Sequence, residues 1–242
     1  MVPGISGLKT IAANHSLNLD PAANRLNADV AIGRLAGNPV AEDMLEGALL
    51  GPPCFLINSV LNRDGAISGL FCGGLKQAHE AACTFARNQF VLPITSQADV
   101  VVASAGTCKN FVQSHKALYN AYQAVKPEGI IILAAPAPEG YGGNRFQEWI
   151  ALGSRDAIIA ELRKNAEING QTALSTLEKA QITLFITELT ADEVGALGGE
   201  KASNLSVALD VARQRLARSG IHRPTCYLMP SAGYTVPVLT RA

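Results

Sequence analysis

The chain has 242 residues, enough for one large α/β domain or two modest ones, and 48% of them are hydrophobic. Lys plus Arg and Asp plus Glu each total 20, so a net charge of zero provides no general pull toward nucleic acid or acidic lipid. No stretch approaches 18 uninterrupted apolar positions, which argues against a membrane-spanning helix, and MVPGISGLKTIAANH lacks a signal-peptide core.

Val2 to His15 holds turn formers at Pro3, Gly4, Ser6 and Gly7 and reads as irregular or briefly helical. Pro39 in a first helical position, with Val40, Met44, Leu45 and Leu49 behind it, predicts a helix to about Leu50 that Gly51-Pro52-Pro53 ends. CFLINSVLN and AISGLF then flank an Asn62-Arg63-Asp64-Gly65 turn and predict a hairpin. Gly73-Gly74 opens a helix from about Lys76 to Asn88, with Ala78, Ala82, Phe85 and Ala86 inward. FVLPI is a short strand, and Thr95-Ser96-Gln97 is a seam.

The run Val100 to Ala103 is short and β-branched, and Ser-Ala-Gly-Thr breaks it, so a buried strand should end in a tight loop. Asn110 is a good N-cap, and Phe111, Leu118, Ala121, Tyr122 and Val125 recur at helical spacing until Pro127 and Gly129 stop them. Ile130 to Ala135 is apolar enough for a strand covered on both faces, which completes a βαβ unit. The glycine-rich EGYGGNRFQEWI leads into a helix with the only tryptophan, Trp149. Further helices are predicted from Ser154 to about Glu167, from Thr172 to Lys179 and from Ser203 to Arg218, with QITLFITE as a strand and TCYLMP as the last buried strand. From Ala98 onward strands alternate with helices. The fold expected there is an α/β three-layer sandwich around a mainly parallel sheet, preceded by an incomplete α+β portion.

Gln113 and Lys116 are three apart, so both project from the helix side opposite the apolar stripe, about one turn inside its start. Free N–H groups at the helix tip, its partial positive charge and the lysine ammonium together suit a carboxylate or phosphate. Ligands of open α/β sheets collect outside the carboxyl ends of the strands, where this loop belongs. A polar helix face in water also carries Lys and Gln, and spacing alone leaves both readings open. The loop Glu139 to Asn144 lacks the spacing of a phosphate-binding fingerprint and reads as a plain turn. Cys108 has no identifiable base beside it. The five cysteines, Cys54, Cys72, Cys83, Cys108 and Cys226, form no CxxC pair, which fits a reducing, cytoplasmic setting rather than a disulfide framework or a zinc knuckle.

Five separated segments, VPGISGLKTIAANH, GRLAGNPVAEDM, FLINSVLNRDGAISGLFCGG, VQSHKAL and EGYGGNRFQEWI, together resemble the nickel-dependent lactate racemase family in the same order. The resemblance implies a two-domain enzyme that racemises or epimerises small 2-hydroxy acids. Its cofactor would be a nickel pincer, pyridinium-3,5-bisthiocarboxylic acid mononucleotide nickel, held between the domains. The mechanism so implied abstracts hydride from the substrate α-carbon and returns it, while histidines move the hydroxyl proton. His15 matches the family histidine that ligates nickel, and Gln113 and Lys116 match the pair that contacts substrate. His79, His115 and His222 match no family role.

The sequence also departs from the family. The lysine that carries the cofactor and the two proton-transfer histidines lie upstream of the first matched segment in the family, and nothing here matches them. The loop from Ser104 to Gln113 is a couple of residues short, and Val112 stands where a tyrosine is common. The domain expectation is therefore residues 1–94 as the trailing portion of a cofactor-bearing N-terminal domain and 95–242 as a C-terminal α/β domain. Such a chain is expected to be inactive alone, to expose apolar surface, and to pair with a complementing N-terminal chain or another copy of itself. The competing readings are a non-catalytic domain that binds small carboxylates or serves assembly, and a nucleotide-binding α/β domain.

Overall fold

A computed structural model describes residues 6–51 and 55–240. Pro3, Gly4, the Pro52-Pro53 helix stop and Cys54 lie outside the described residues. The chain divides into two compact units: Met1–Phe90 with Ile159–Ile168, and Val91–Ile158 with Asn169–Ala242.

In the first unit, α1 (Leu8–Ser16) and α2 (Pro39–Leu49) precede a hairpin of β1 (Phe55–Leu61) and β2 (Ile67–Gly74), followed by α3 (Leu75–Phe90). Asn38 caps α2 by accepting from the Val40 and Ala41 amides, with Pro39 as the first helical residue. The Asn62 side chain accepts from the Asp64 and Ala66 amides, which closes the hairpin turn. β1 and β2 pair antiparallel, and α3 packs on one face of both. Ala78 and Ala82 of α3 are buried, whereas Phe85 is only half-buried, its ring 5.3 Å from that of Phe71.

The second unit contains β3 (Val91–Ile94), β4 (Ala98–Ser104), α4 (Phe111–Ala124), β5 (Val125–Ala134), α5 (Asn144–Ile150) and then α6 (Arg155–Lys164), whose latter half belongs to the first unit. There follow α7 (Ile168–Ala180), β6 (Thr183–Ile186), α8 (Ala191–Ala196), β7 (Glu200–Lys201), α9 (Leu205–Arg218), β8 (Cys226–Met229), a 3-10 turn at Ala232–Tyr234 and β9 (Val236–Leu239). Five strands form one parallel sheet in the order β7-β6-β5-β4-β8. Its two longest strands, β4 and β5, are central and joined through α4, a βαβ crossover.

Ile130 to Leu133 are all buried, as a strand covered on both faces requires. Ile130 and Ile132 join Leu184, Ala208, Ala212 and Leu216 under α9. α4 packs on β4 and β5. The α/β sandwich expectation therefore holds.

Several expectations need correction. TCYLMP forms the edge strand β8 and is mostly exposed, with Leu228 at 72%, because strand pairing is present on one side only. Tyr122 is 37% exposed rather than part of the apolar stripe, and Val125 already belongs to β5. α8, β7 and β9 have no counterpart in the sequence reading. Each is six residues or fewer, too short for hydrophobic periodicity to register.

Candidate functional site

At the carboxyl end of β4, the amide of Ala105 still pairs with Ala134 of β5, and Gly106 at φ +72° turns the chain toward α4. Asn110 is the N-cap and its side chain accepts from the Gln113 amide at 3.1 Å. The next two orphan donors are taken by the glycine-rich loop: Phe111 N–H donates to the Gly140 carbonyl and Val112 N–H to that of Tyr141, each at 3.1 Å. Gly142, at φ +102°, lies so close to Asn110 that a Cβ would meet its amide carbon at 2.5 Å. The loop is thus a cap for α4.

This corrects the expected source of anion affinity. Three of the first N–H groups of α4 are committed within the protein, so the helix tip offers its dipole but few free donors. The donors left for a ligand are side chains. Lys116 is exposed and forms no ion pair among the described residues. Gln113 is also exposed, and its Oε1 accepts from the Lys109 amide at 3.3 Å, which turns its carbonyl inward to the loop. Its two amide hydrogens therefore face away from that bond.

The opposite side of α4 is welded down. Phe111 is fully buried, with its ring 5.9 Å from those of Phe146 and Phe185. Asn120 donates to the Ala232 carbonyl at 2.7 Å. Buried Lys179 of α7 sits with its amine 5.0 Å from the Tyr119 ring centre and 5.2 Å from that of Tyr122, and donates to Ser175 Oγ at 2.8 Å. His115 points into this side, as its spacing from Gln113 requires, and its Nε2 is buried without a hydrogen bond. Burial and then the Lys179 charge push its pKa down to about 3, so it is neutral at pH 7. Sequence reasoning missed this cluster; the only hint was a lysine inside the apolar stretch TALSTLEKAQITLF.

Elsewhere on this edge, Tyr141 donates its hydroxyl to the Glu193 carbonyl at 2.7 Å, and burial followed by Glu193 pushes its pKa up to about 12. Cys108 donates its thiol to the Ala105 carbonyl and contacts no base among the described residues. A cavity of about 700 Å³ in this unit opens at the amino ends of β4 and β5 among Asp99, Lys126, Gly129, His222 and Arg223. Asp99 is already held by Lys126 at 2.7 Å and by the Thr225 amide and hydroxyl. That end of a parallel sheet is not where ligands gather, so the carboxyl edge remains the candidate site.

His15 lies in the first unit, in the last turn of α1. Buried Asn14 anchors α1 to α2 by donating to the Val40 carbonyl at 3.0 Å and to Asp43 at 2.9 Å, and its Oδ1 sits 3.1 Å from His15 Nδ1. Burial, partly offset by a hydrogen bond to Ile11, lowers the His15 pKa and keeps the imidazole neutral at pH 7, the state a metal requires. No three His, Cys, Asp or Glu side chains gather into a metal centre among the described residues. The described residues around His15 therefore offer one imidazole and not a complete coordination sphere.

Residues 94–221 match the family described as the lactate racemase C-terminal domain. The lactate racemase of Lactiplantibacillus plantarum is 32% identical over 155 residues, 62% of this chain and 35% of that protein. That of Thermoanaerobacterium thermosaccharolyticum is 30% identical over 152 residues, again 62% of this chain and 34% of its own length. The solved lactate racemase apoprotein from T. thermosaccharolyticum superimposes with a TM-score of 0.83 at 24% identity, covering 98% of this chain and 57% of that one. A Thermotoga maritima protein of solved structure gives 0.57 at 13% identity, over 84% of this chain and 54% of its own. The alignments with the curated relatives span about a third of their length. With more than half its residues matched, the chain belongs to the lactate racemase C-terminal domain family.

Proposed function

We propose that this chain carries the substrate-binding domain of a racemase or epimerase of small 2-hydroxy acids. The observation that supports this reading best is Lys116: a solvent-facing ammonium with no ion pair among the described residues, one turn into a helix at the carboxyl edge of the sheet. Such a cation is available to pair with a carboxylate, and the helix dipole adds to its field. The Gln113 amide, oriented by the Lys109 contact, donates to the 2-oxygen, whether hydroxyl or keto. The Lys179 and Phe111 anchors keep the α4 face fixed, so the substrate meets preorganised donors.

The cofactor that fits the resemblance is the nickel pincer, which when bound supplies a hydride acceptor for the substrate α-carbon. His15, the imidazole at the end of α1, is the residue that would hold the metal. The domain assignment, 1–94 with a cofactor-bearing domain and 95–242 for substrate, belongs to this proposal. So do a reducing cytoplasmic setting, supported by free Cys72, Cys83, Cys108 and Cys226, and the absence of turnover by this chain alone. Among the described residues no helix is long and apolar enough to cross a membrane.

Calorimetric titration of the chain with D- and L-lactate tests the reading. Wild type is expected to bind, and Lys116→Ala to bind at least tenfold more weakly with an unchanged melting temperature. Equal affinities of the two proteins, or tight binding of an adenine nucleotide and no hydroxy acid, would sink it. A non-catalytic assembly role is the second reading, and it is favoured by the bare apolar face of the first unit.

A further inference from the structure

Asp99 ties two loops together at the amino ends of the central strands, and the cavity of about 700 Å³ lies between them. In the parallel register of β4 and β5, Ala98 pairs with Val125 and Val100 with Ile130, so residues 126–129 of β5 bulge out of the ladder opposite Asp99. Gly129 closes the bulge, and a Cβ there would meet the Asp99 carbonyl oxygen at 2.8 Å. The Asp99 carboxylate accepts from Lys126 Nζ in the bulge and from the amide and hydroxyl of Thr225, each at 2.7 Å. Those bonds hold the segment between α9 and β8 against the bulge. Gly220, at φ +80°, turns that segment, and the Gly220 and Ile221 amides cap α9 by donating to the Ala217 and Leu216 carbonyls.

The charges of the lining are paired only in part. Lys126 is half-exposed and gives one of its three N–H groups to Asp99, which leaves two. Arg223 and Glu128 line the same cavity from opposite loops, both exposed, and neither forms an ion pair or side-chain hydrogen bond among the described residues. With His222 counted as neutral, Lys126 and Arg223 balance Asp99 and Glu128. A simple anion placed here would meet the Glu128 charge, and a simple cation would meet the Arg223 guanidinium. A ligand that carries both charges satisfies both residues. Pro127 and Ile221 add an apolar wall to the same cavity.

We propose that this cavity binds an α-amino acid with an aliphatic side chain. Its carboxylate is taken by Arg223 and the spare N–H groups of Lys126, its ammonium by Glu128, and its side chain lies on Pro127 and Ile221. Asp99 already fixes the Lys126 ammonium, so less ordering is left for binding to impose. β4 starts at this cavity and ends at the loop that leads to Gln113 and Lys116, so the amino acid is bound away from the proposed reaction. It is a ligand that stabilises the second unit by mass action, and the assignment does not depend on the racemase reading.

Calorimetric titration with L-leucine and L-valine tests the assignment. Isocaproate and isoamylamine serve as leucine without its ammonium and without its carboxylate. The expected result is saturable one-to-one binding of at least one of the two amino acids, and at least tenfold weaker binding of each half-molecule. Arg223→Gln and Glu128→Gln, both at exposed positions, should each weaken amino acid binding at least tenfold with an unchanged melting temperature. Lys116→Ala should leave it unchanged.

A chain that binds neither amino acid, or binds them equally well in both glutamine variants, overturns the proposal. So does isocaproate binding as tightly as leucine, because the cavity then selects an anion and Glu128 has no ammonium to hold. Lactate titrated into the Arg223→Gln protein reads the α4 site separately, so loss of leucine binding there with lactate binding intact supports two independent sites.

Discussion

The two units bury their secondary structure in opposite ways. In the second, β5 runs four consecutive buried apolar residues from Ile130 to Leu133, with helices on both faces. In the first, α2 has no buried residue at all, and the hairpin leaves one apolar face open. The same residue types are present in both, so composition does not explain the contrast. What differs is how many layers cover each sheet. A region covered on both faces should behave as a cooperative core, and a region covered on one should open locally at much lower cost.

The largest expected effect lies where the core meets the candidate site. Phe111→Ala removes a fully buried ring packed on Phe146 and Phe185, and should cost about 3–5 kcal/mol in urea unfolding. If the proposed site binds lactate, the substitution should weaken that binding too, because Phe111 is the first residue of the helix that carries Gln113 and Lys116. A loss under about 1 kcal/mol would mean the second unit is not the rigid partner in the comparison.

Acid should attack the same unit in two stages. His115 is half-buried with its Nε2 enclosed and its pKa held near 3, so it stays neutral in the fold and the unfolded chain binds the extra proton first as pH falls below about 6.5. Stability is then lost by up to about 1.4 kcal/mol per pH unit toward pH 3. The Asp99 carboxyl is held down to about 2 by Lys126 first and then by Thr225, so its contribution is complete above about pH 4 and disappears as pH falls through 2. His115→Phe should flatten the curve between about pH 6 and 4, while Asp99→Asn should cost about 2 kcal/mol at pH 7 through lost charge-assisted bonds. Both are read from melting temperature against pH; parallel curves for wild type and His115→Phe would contradict the first.

Two caps provide a matched pair at smaller magnitude. Asn110→Ala in the second unit and Asn38→Ala in the first each remove a side chain that accepts helix-terminal amides, an expected loss of about 1 kcal/mol apiece. The global unfolding midpoint should register the Asn110 change, whereas the Asn38 change should register mainly in hydrogen exchange of α2 if that helix opens by itself.

Much of this contrast is legible in the order of the amino acids. The βαβ core announces itself through β-branched runs and the Asn110 cap, local signals that tertiary packing reinforces, whereas Pro127, read as the helix stop, lies inside β5 after α4 has ended at Ala124. Gln113 and Lys116 come from helical spacing, and both are exposed in the fold. Less legible is the fate of the α4 amides, because the carbonyls that take them arrive from Gly140 and Tyr141, some thirty residues later. The Lys179 cluster is hidden for the same reason. β8 is misleading because TCYLMP has the composition of a buried strand, and a strand's place at an edge is set by partners that sequence does not display.

The smallest expected effect gives the sharpest contrast. Ile57 and Phe111 are both large apolar residues, but Ile57 is 66% exposed in the hairpin. Its side chain has little area left to lose, so Ile57→Ala should shift stability by no more than about 0.5 kcal/mol. Urea midpoints of the two alanine variants, measured on the same day at the same protein concentration, make the comparison direct. A cost above about 1.5 kcal/mol at Ile57 would mean that the face is already covered in solution. If that cost grew with protein concentration the cover would be another copy of the chain, and if it did not, the one-sided packing of the first unit would itself be wrong.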